Sequence, residues 1–566
     1  MTEDFRTRIN GYVKAMVRGY SPTATGDKII HDPIWGSVVF HPWEVRLIDS
    51  PLFQRLRGIS QVGLAESTYP AARHTRFEHS LGTAAVASRM MEQLYTDAKG
   101  RKEVRDIIGE GEINLLRLAA LLHDVGHCPY SHLSEAIYGA MPQFKEMKQA
   151  VIDETGQDIS PSPHEVFSYL IIVSDAFTTF FYYYIRYPGI KTRAQAAELL
   201  KRAANLVVGA VNTDKKGHRL SYLTKVLNGN FDADKLDYTQ RDSYTAGIAL
   251  TYGVERFLLK LVICKTETEQ GTDYCLGITE DALSTVEELI FNRSMLYHYM
   301  YRHQKVLAAE CQMKDAIYAL VRVGRIKHPC DFLFLNNQEL GALYHSRHQP
   351  FVADGAKGKT LEKLHSAFSR RTLLKRAFQL APDGFWEYSE PTDPIPFALE
   401  RLNRCESDGE RERILRDLMG EQREEDRIPD GILAYVEFLR GCTPEESVAE
   451  RRIIADRIAA AYKKAGLAVD FDAFDLALSF QPALKSPLQL TVTDKSRHLI
   501  DATPAIGRIR NWTEAFNRGK WRGYLFVAPH MNRALAGEVF EEYLKERCRG
   551  EQLPLCPTEG RDNVLF

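Results

Sequence analysis

A mainly α protein with a small α+β region at its C-terminal end is the fold the sequence predicts, on three observations. From "WEVRLIDSPLFQRLRGISQVG" to about residue 310, apolar residues recur at helical spacing, as in Val45, Ile48, Leu52, Leu56 and Ile59. Between 311 and 480 the helical runs continue but carry many charges, as in "ERLNRCESDGERERILRDLMGEQREEDR", which reads as a solvated helical region. From 481 to 566 the pattern turns to alternation, "LQLTVTD" and then "WRGYLFVAPH", before a helix, "ALAGEVFEEYLKERC".

Taken in order, residues 1–27 read as a polar N-terminal tail ending in the loop signal "GYSPTATGD". "KIIHDPIWGSVVFHP" reads as a short strand or hairpin broken by Pro33 and Gly36. Residues 28–310 form one mostly helical domain. Its most apolar stretch, "YLIIVSDAFTTFFYYYI", carries Asp175 and several hydroxyls and reads as buried core rather than a bilayer span. "GAKGKTLEKLH" reads as an exposed connector; its "GKT" is no phosphate loop, because the pattern needs Gly where Ala353 stands.

Lys and Arg number 73 against 75 acidic residues among 566, so no whole-protein field argues for nucleic acid or membrane, although a local basic surface leaves single-stranded nucleic acid open. "MTEDFRTRIN" has no apolar signal region, so a soluble, cytoplasmic protein is expected. Nine cysteines without a CxxC fit reduced thiols better than a disulfide or zinc framework.

The chemistry concentrates in "LLHDVGHCPYSH". Leu115, Leu118, Ala119 and Leu122 have the spacing of a buried stripe, which places His123 and Asp124 at the end of a packed helix. His127 falls one turn further on, and Gly126 and Pro129 are expected to break the helix and leave His132 on a loop. Upstream, His79 opens the small-residue run "HSLGTAAVAS"; downstream, Asp232, Asp234, Asp237 and Asp242 crowd into "DADKLDYTQRD". His79, His123, Asp124 and one of these aspartates make a mixed imidazole and carboxylate set suited to one Mn²⁺, Fe²⁺, Mg²⁺ or Zn²⁺ with positions open for water and substrate. "DADKLD" lacks the Gly and terminal Glu of an EF-hand.

The stretches "DSPLFQRLRGISQVG", "RFEHSLG", "LLHDVGHCPYSH", "SPHEVFS" and "DADKLDYTQRD" resemble, in order and spacing, the HD-domain superfamily of metal phosphohydrolases, and within it the deoxynucleoside triphosphate triphosphohydrolases of the SAM-and-HD type. The resemblance covers residues 28–310, which it makes an HD-domain catalytic core; about 27 residues precede it, so no SAM domain is expected within the sequence. It implies metal ligands at His79, His123, Asp124 and Asp234, catalytic histidines at His127 and His164, and a proton donor to the leaving oxygen at His132. An assisting acid falls at Glu135, where the family usually has Asp. Implied substrate contacts are Gln61, Arg76, Lys235, Tyr238, Asp242, Arg293 and Tyr301, with Tyr238 excluding a 2′-hydroxyl. Lys28, Asp49, Gln54 and Arg57 match positions that bind an activating guanine nucleotide between subunits, although His31 replaces the usual asparagine, and a homo-oligomer, dimer or tetramer, would follow.

The implied activity is hydrolysis of a deoxynucleoside triphosphate to deoxynucleoside and inorganic triphosphate, with a further Mg²⁺ accompanying the nucleotide. Arg76, Lys235 and Arg293 suit a triphosphate through charge-assisted hydrogen bonds, and histidine suits proton transfer near neutrality. The alternatives are a phosphohydrolase or phosphodiesterase for another nucleotide, and a nucleotide-sensing or nucleic-acid-binding scaffold with a vestigial site.

Overall fold

In the computed structural model, residues 2–250, 252–344, 372–380, 430–480, 491–494, 499–500 and 521–548 are described, with isolated positions between 507 and 520. The connector "GAKGKTLEKLH" and the charged run 400–427 lie outside the described residues. The fold is mainly α, and it divides into two compact units. One is built from residues before 372 together with 491–500, the other from 372–480 and the described residues after 506.

The first unit opens on a helix where a polar tail is expected. In α1 (Thr2–Val17), Phe5, Ile9, Tyr12 and Val13 are buried on one stripe, with Tyr12 edge-on to Phe334 at a centroid distance of 5.1 Å. The intervening charges mask this stripe in sequence, but i, i+4, i+7, i+8 spacing suffices for one buried face. Next comes the expected hairpin, β1 (Lys28–Asp32) and β2 (Gly36–Phe40), paired antiparallel with Asp32 opposite Gly36. The Asp32 carboxylate closes its turn by accepting from the Ile34 and Trp35 amides at 2.8 and 2.9 Å, and Gly36 supplies the positive φ of 74°.

Two long-range helix packings bring the site together. α2 (Arg76–Asp97) lies against α3 (Glu110–Leu122) and also against a helix far along the chain, Ala233–Ala246. α2 begins in a capping box: the Thr75 side chain accepts from the first-turn amides and Glu78 reaches back to the Thr75 amide at 2.9 Å. Thr75→Ala is therefore expected to cost about 1 kcal/mol, measured as a lower urea midpoint. Following α4 (His132–Tyr138) and α5 (Pro163–Ile172), α6 (Arg193–Val207) packs on both α3 and α5 and closes the bundle around the α3 terminus. The distant helix Ala233–Ala246 is α7, and α8 (Gln304–Arg322) runs through residue 310, so no domain boundary falls there. Its Val306, Leu307, Met313, Ile317 and Leu320 are buried, which ties the segment to the first unit's core.

A hairpin interrupts the helical region, β3 (Leu261–Thr268) with β4 (Gly271–Thr279), turned at Gly271 with φ 100°. The strand Val492–Thr493, expected in the C-terminal α+β piece, pairs parallel with β4 instead. Among the described residues, no single helix is long and apolar enough to cross a membrane. The pair Pro163–Ile172 and Asp175–Ile185 passes by composition only when joined, and it bends by 51°. The second unit is α+β: strands Lys375–Leu380, Gly523–Val527 and Leu476–Phe480 form an antiparallel sheet in that order, against which helix Arg533–Arg547 packs. The seven described cysteines are unbridged.

Candidate metal and phosphohydrolase site

The apolar run of α3 is buried without a break from Leu115 to Leu122 and stops at His123, its C-terminal cap. His127 is not one helical turn beyond His123, as the spacing suggests, because residues 124–126 form a turn. Ser168 of α5 holds that turn: its hydroxyl donates to the His123 carbonyl at 2.6 Å and accepts from the Gly126 amide at 2.9 Å. A Cβ at Gly126 would collide with the backbone of His164 and Ser168, so glycine is what lets α5 approach this closely. His132, expected on a loop, is the first residue of α4. Tyr130 and Ser131 before it adopt positive φ of 56° and 50°, a strain that turns His132 back toward His127. The Ser131 hydroxyl holds this bend by donating to the Ser60 carbonyl at 2.7 Å and accepting from Arg76 Nε at 3.0 Å.

Two clusters result. In the first, His79, His123 and Asp234 each offer a ligand atom within 4.8 Å of the others. His79 Nε2 lies 2.9 Å from Asp234 Oδ1, and His123 Nε2 lies 3.3 Å from Asp124 Oδ1. The other ring nitrogens are spoken for: His79 Nδ1–H donates to Asp237 at 2.7 Å and His123 Nδ1–H to the Ala120 carbonyl at 2.7 Å. Each Nε2 thus presents a lone pair inward, and both are buried without a hydrogen bond. Buried acceptors facing carboxylates are unfavourable unless a cation sits among them, and outward Nδ1 donors with an inward Nε2 are how metal-bound imidazoles are oriented. These residues fit a divalent cation. Asp124 also accepts from the buried Arg76 guanidinium at 2.9 Å.

The second cluster centres on Glu135. Its Oε1 lies 2.9 Å from His164 Nδ1 and 3.2 Å from His127 Nδ1, and its Oε2 lies 3.1 Å from His132 Nδ1. His164 stacks on His127 with centroids 3.9 Å apart. Burial opposes ionisation of Glu135, but His132 and His164 outweigh it and hold the carboxyl well below its ordinary value. Burial likewise opposes a charged His164, yet Glu135 outweighs it and His164 is pushed up to about 9. Burial, with Arg76 and His164, drives His127 well below 6.5. Near neutrality a charged His164 thus lies face to face with a neutral His127. In Glu135→Gln the His164 pKa is expected to fall from about 9 toward 6.5, read by a labelled-histidine NMR titration. A raised folded pKa contributes stability that is fully present below 6.5 and is lost as pH rises through about 9, so the wild type loses more stability over that window than the variant.

Six of the seven implied substrate positions lie on α2 (Arg76), α7 (Lys235, Tyr238, Asp242) and the segment 283–301 (Arg293, Tyr301), and Gln61 lies in the segment before α2. Lys235 Nζ is tied to Asp232 at 2.6 Å, and a small cavity lined by His123, His164, Asp234 and Lys235 adjoins the first cluster. Asp242 accepts from His74 Nε2 at 2.6 Å and from the Tyr301 hydroxyl. Burial raises Tyr238 well above its ordinary value, against the nearby Arg293 charge, so it stays a neutral phenol. Arg293 lies 5.7 Å from the Tyr297 ring, which is edge-on to Tyr301. Gln61 is buried and its Oε1 makes no hydrogen bond. The remaining four positions pair among themselves: Lys28 with Asp49 at 3.4 Å, and Arg57 Nε donating to Gln54 Oε1 at 2.8 Å. Reading the sequence alone missed Ser168, Ser131 and His74; each acts through a partner more than 40 residues away, and no local spacing signals it.

The HD domain family matches residues 76–159. An uncharacterized protein of Methanocaldococcus jannaschii is 30% identical over 290 residues, 51% of this chain and 49% of that one. The deoxynucleoside triphosphate triphosphohydrolase SAMHD1 of Bos taurus is 29% identical over 299 residues (51% and 47%), and that of Homo sapiens 26% over 328 (55% and 47%). The chain spans about half the length of the curated relatives it matches.

Proposed function

From the premise that residues 76–159 are an HD domain, we propose that the chain is a divalent-metal-dependent hydrolase that splits deoxynucleoside triphosphates into deoxynucleoside and inorganic triphosphate. The observation that carries this reading is the convergence of two hydrogen-bond-free imidazole nitrogens, His79 Nε2 and His123 Nε2, on carboxylates beside a second, Glu135-centred set of histidines. The nucleotide chosen rests on the likeness to SAMHD1 and on the presence of Gln61, Arg76, Lys235, Tyr238, Asp242, Arg293 and Tyr301.

A divalent cation held by His79, His123, Asp124 and Asp234 would supply Lewis acidity to phosphate oxygens. Around it the chain does the rest. Arg76, Lys235 and Arg293 bind the triphosphate through charge-assisted hydrogen bonds, and Asp242 accepts from the sugar hydroxyl, aimed by His74 and Tyr301. Tyr238 packs against the sugar and excludes a 2′-hydroxyl. His164, which Glu135 holds charged, serves the reacting phosphate, and His132, oriented by the same carboxylate and the more exposed of the two, is the donor to the leaving oxygen. In this reading Lys28, Asp49, Gln54 and Arg57 bind a guanine-nucleotide activator between subunits of a homo-oligomer.

The test is product identity. The purified chain is incubated with each dNTP, NTP and cyclic nucleotide plus Mn²⁺ or Mg²⁺; inorganic triphosphate and deoxynucleoside from a dNTP are expected. Orthophosphate or pyrophosphate as sole product would overturn the reading.

A further inference from the structure

Behind His79 lies a chain of buried groups that the phosphohydrolase reading does not use. His79 Nδ1–H donates to Asp237 Oδ2 at 2.7 Å. Arg241, one turn along α7, grips the same carboxylate with Nε at 2.9 Å and Nη2 at 2.8 Å. That Nη2 also donates to Asp32 Oδ2 at 2.8 Å, and Trp35 Nε1–H completes the ring by donating to Asp237 Oδ1 at 2.5 Å. Asp32 and Trp35 belong to the turn of the β1–β2 hairpin, some 200 residues from α7 in the chain. His79 and Asp237 are 0% exposed and Arg241 2%, so no water competes for these bonds.

The arrangement is costly to build. Gly82 faces it from α2, and a Cβ there would collide with the Asp237 carboxylate and the Arg241 guanidinium. One guanidinium against two buried carboxylates, with an indole N–H added, gains little stability over an apolar core of equal volume. Its distinctive product is the orientation of one imidazole: a carboxylate on Nδ1–H fixes the tautomer, aims Nε2, and raises its basicity as a ligand.

We infer that Asp237 is a positioning residue for His79, and that Arg241, Asp32 and Trp35 make the affinity of the first cluster for a divalent cation depend on the seating of the β1–β2 hairpin. The inference rests on the metal assignment proposed above. The hairpin turn thereby acts on the site without touching it, since Asp32 and Trp35 reach His79 only through Asp237.

The test measures Mn²⁺ binding by calorimetry on the full chain after chelator treatment. Asp237→Asn, which keeps the size and loses the charge, is expected to weaken Mn²⁺ binding about 10–100-fold. Trp35→Phe removes one hydrogen bond at the far side, leaves the fold intact, and is expected to weaken binding by a smaller factor. In the double variant Trp35→Phe adds less than it does alone, because both changes act on one carboxylate. A folded Asp237→Asn with wild-type Mn²⁺ affinity, or strict additivity of the two changes, overturns the inference while leaving the phosphohydrolase reading in place. A wild-type chain that binds none of Mn²⁺, Fe²⁺, Mg²⁺ and Zn²⁺ overturns both. Should Asp237→Asn not fold, Trp35→Phe decides alone: unchanged affinity overturns, weakened affinity supports.

Discussion

Replacing His123 and Asp124 together by alanine is expected to abolish turnover while the fold survives. The two side chains supply one of the inward imidazole nitrogens and the carboxylate 3.3 Å from it, so the double variant removes half of the proposed metal set. Metal and positioned phosphate contacts together supply several kcal/mol of transition-state stabilisation, so a loss of roughly 10³-fold or more in kcat/KM is expected. The fold should persist because the α3 stripe from Leu115 to Leu122 is untouched and the Ser168 clamp grips backbone atoms of the turn rather than either side chain. The cost to stability comes from Arg76, whose buried guanidinium loses Asp124 and keeps the Ser131 hydroxyl. Circular dichroism on the variant separates the two effects. Unchanged activity in a well-folded double variant would remove the metal set from the mechanism.

The second large effect is expected in stability. Arg241→Met leaves Asp237 and Asp32 buried, facing one another across an apolar side chain, with Trp35 and His79 as the remaining donors to Asp237. Removing one partner from a buried charge network costs about 3–5 kcal/mol, against about 1 kcal/mol for a typical point change. Urea unfolding followed by intrinsic fluorescence measures it. A loss below about 1 kcal/mol would mean that Arg241 is not what holds the two buried carboxylates together. Asp32→Asn, with one hydrogen-bonding group retained toward the turn amides, should lie between these limits.

Much of the fold class was legible because it is local. A period near 3.6 in residues 43–310 announces amphipathic helices, and Pro33 with Gly36 announces the turn of the first hairpin. The misreadings have physical causes. Charges between the apolar residues of α1 hide a stripe that is still wide enough to bury. The β3–β4 hairpin hides because strand residues such as "LVICKTET" carry no Pro and little Gly to punctuate them. Sequence also carried α3 on past His123, where Ser168 from α5 ends it; the competing partner comes from outside the window.

What the sequence by itself determined is the inventory: ligand-type side chains at the end of a buried helix, and a resemblance strong enough to name the residues that would accompany them. Adjacency along a helix is encoded by spacing, so His123 and Asp124 were found where they are. Only the tertiary structure decided which nitrogen of each imidazole faces inward, that Glu135 reaches three histidines at once, and that Asp237 rather than a solvent molecule stands behind His79. The His79–Asp237 bond joins residues 158 positions apart because α2 and α7 pack closely enough at Gly82 for a carboxylate on one helix to meet an imidazole on the other, and the Glu135 contacts exist because the Ser168 clamp and the bend at Tyr130 and Ser131 bring α5 and α4 to the same turn.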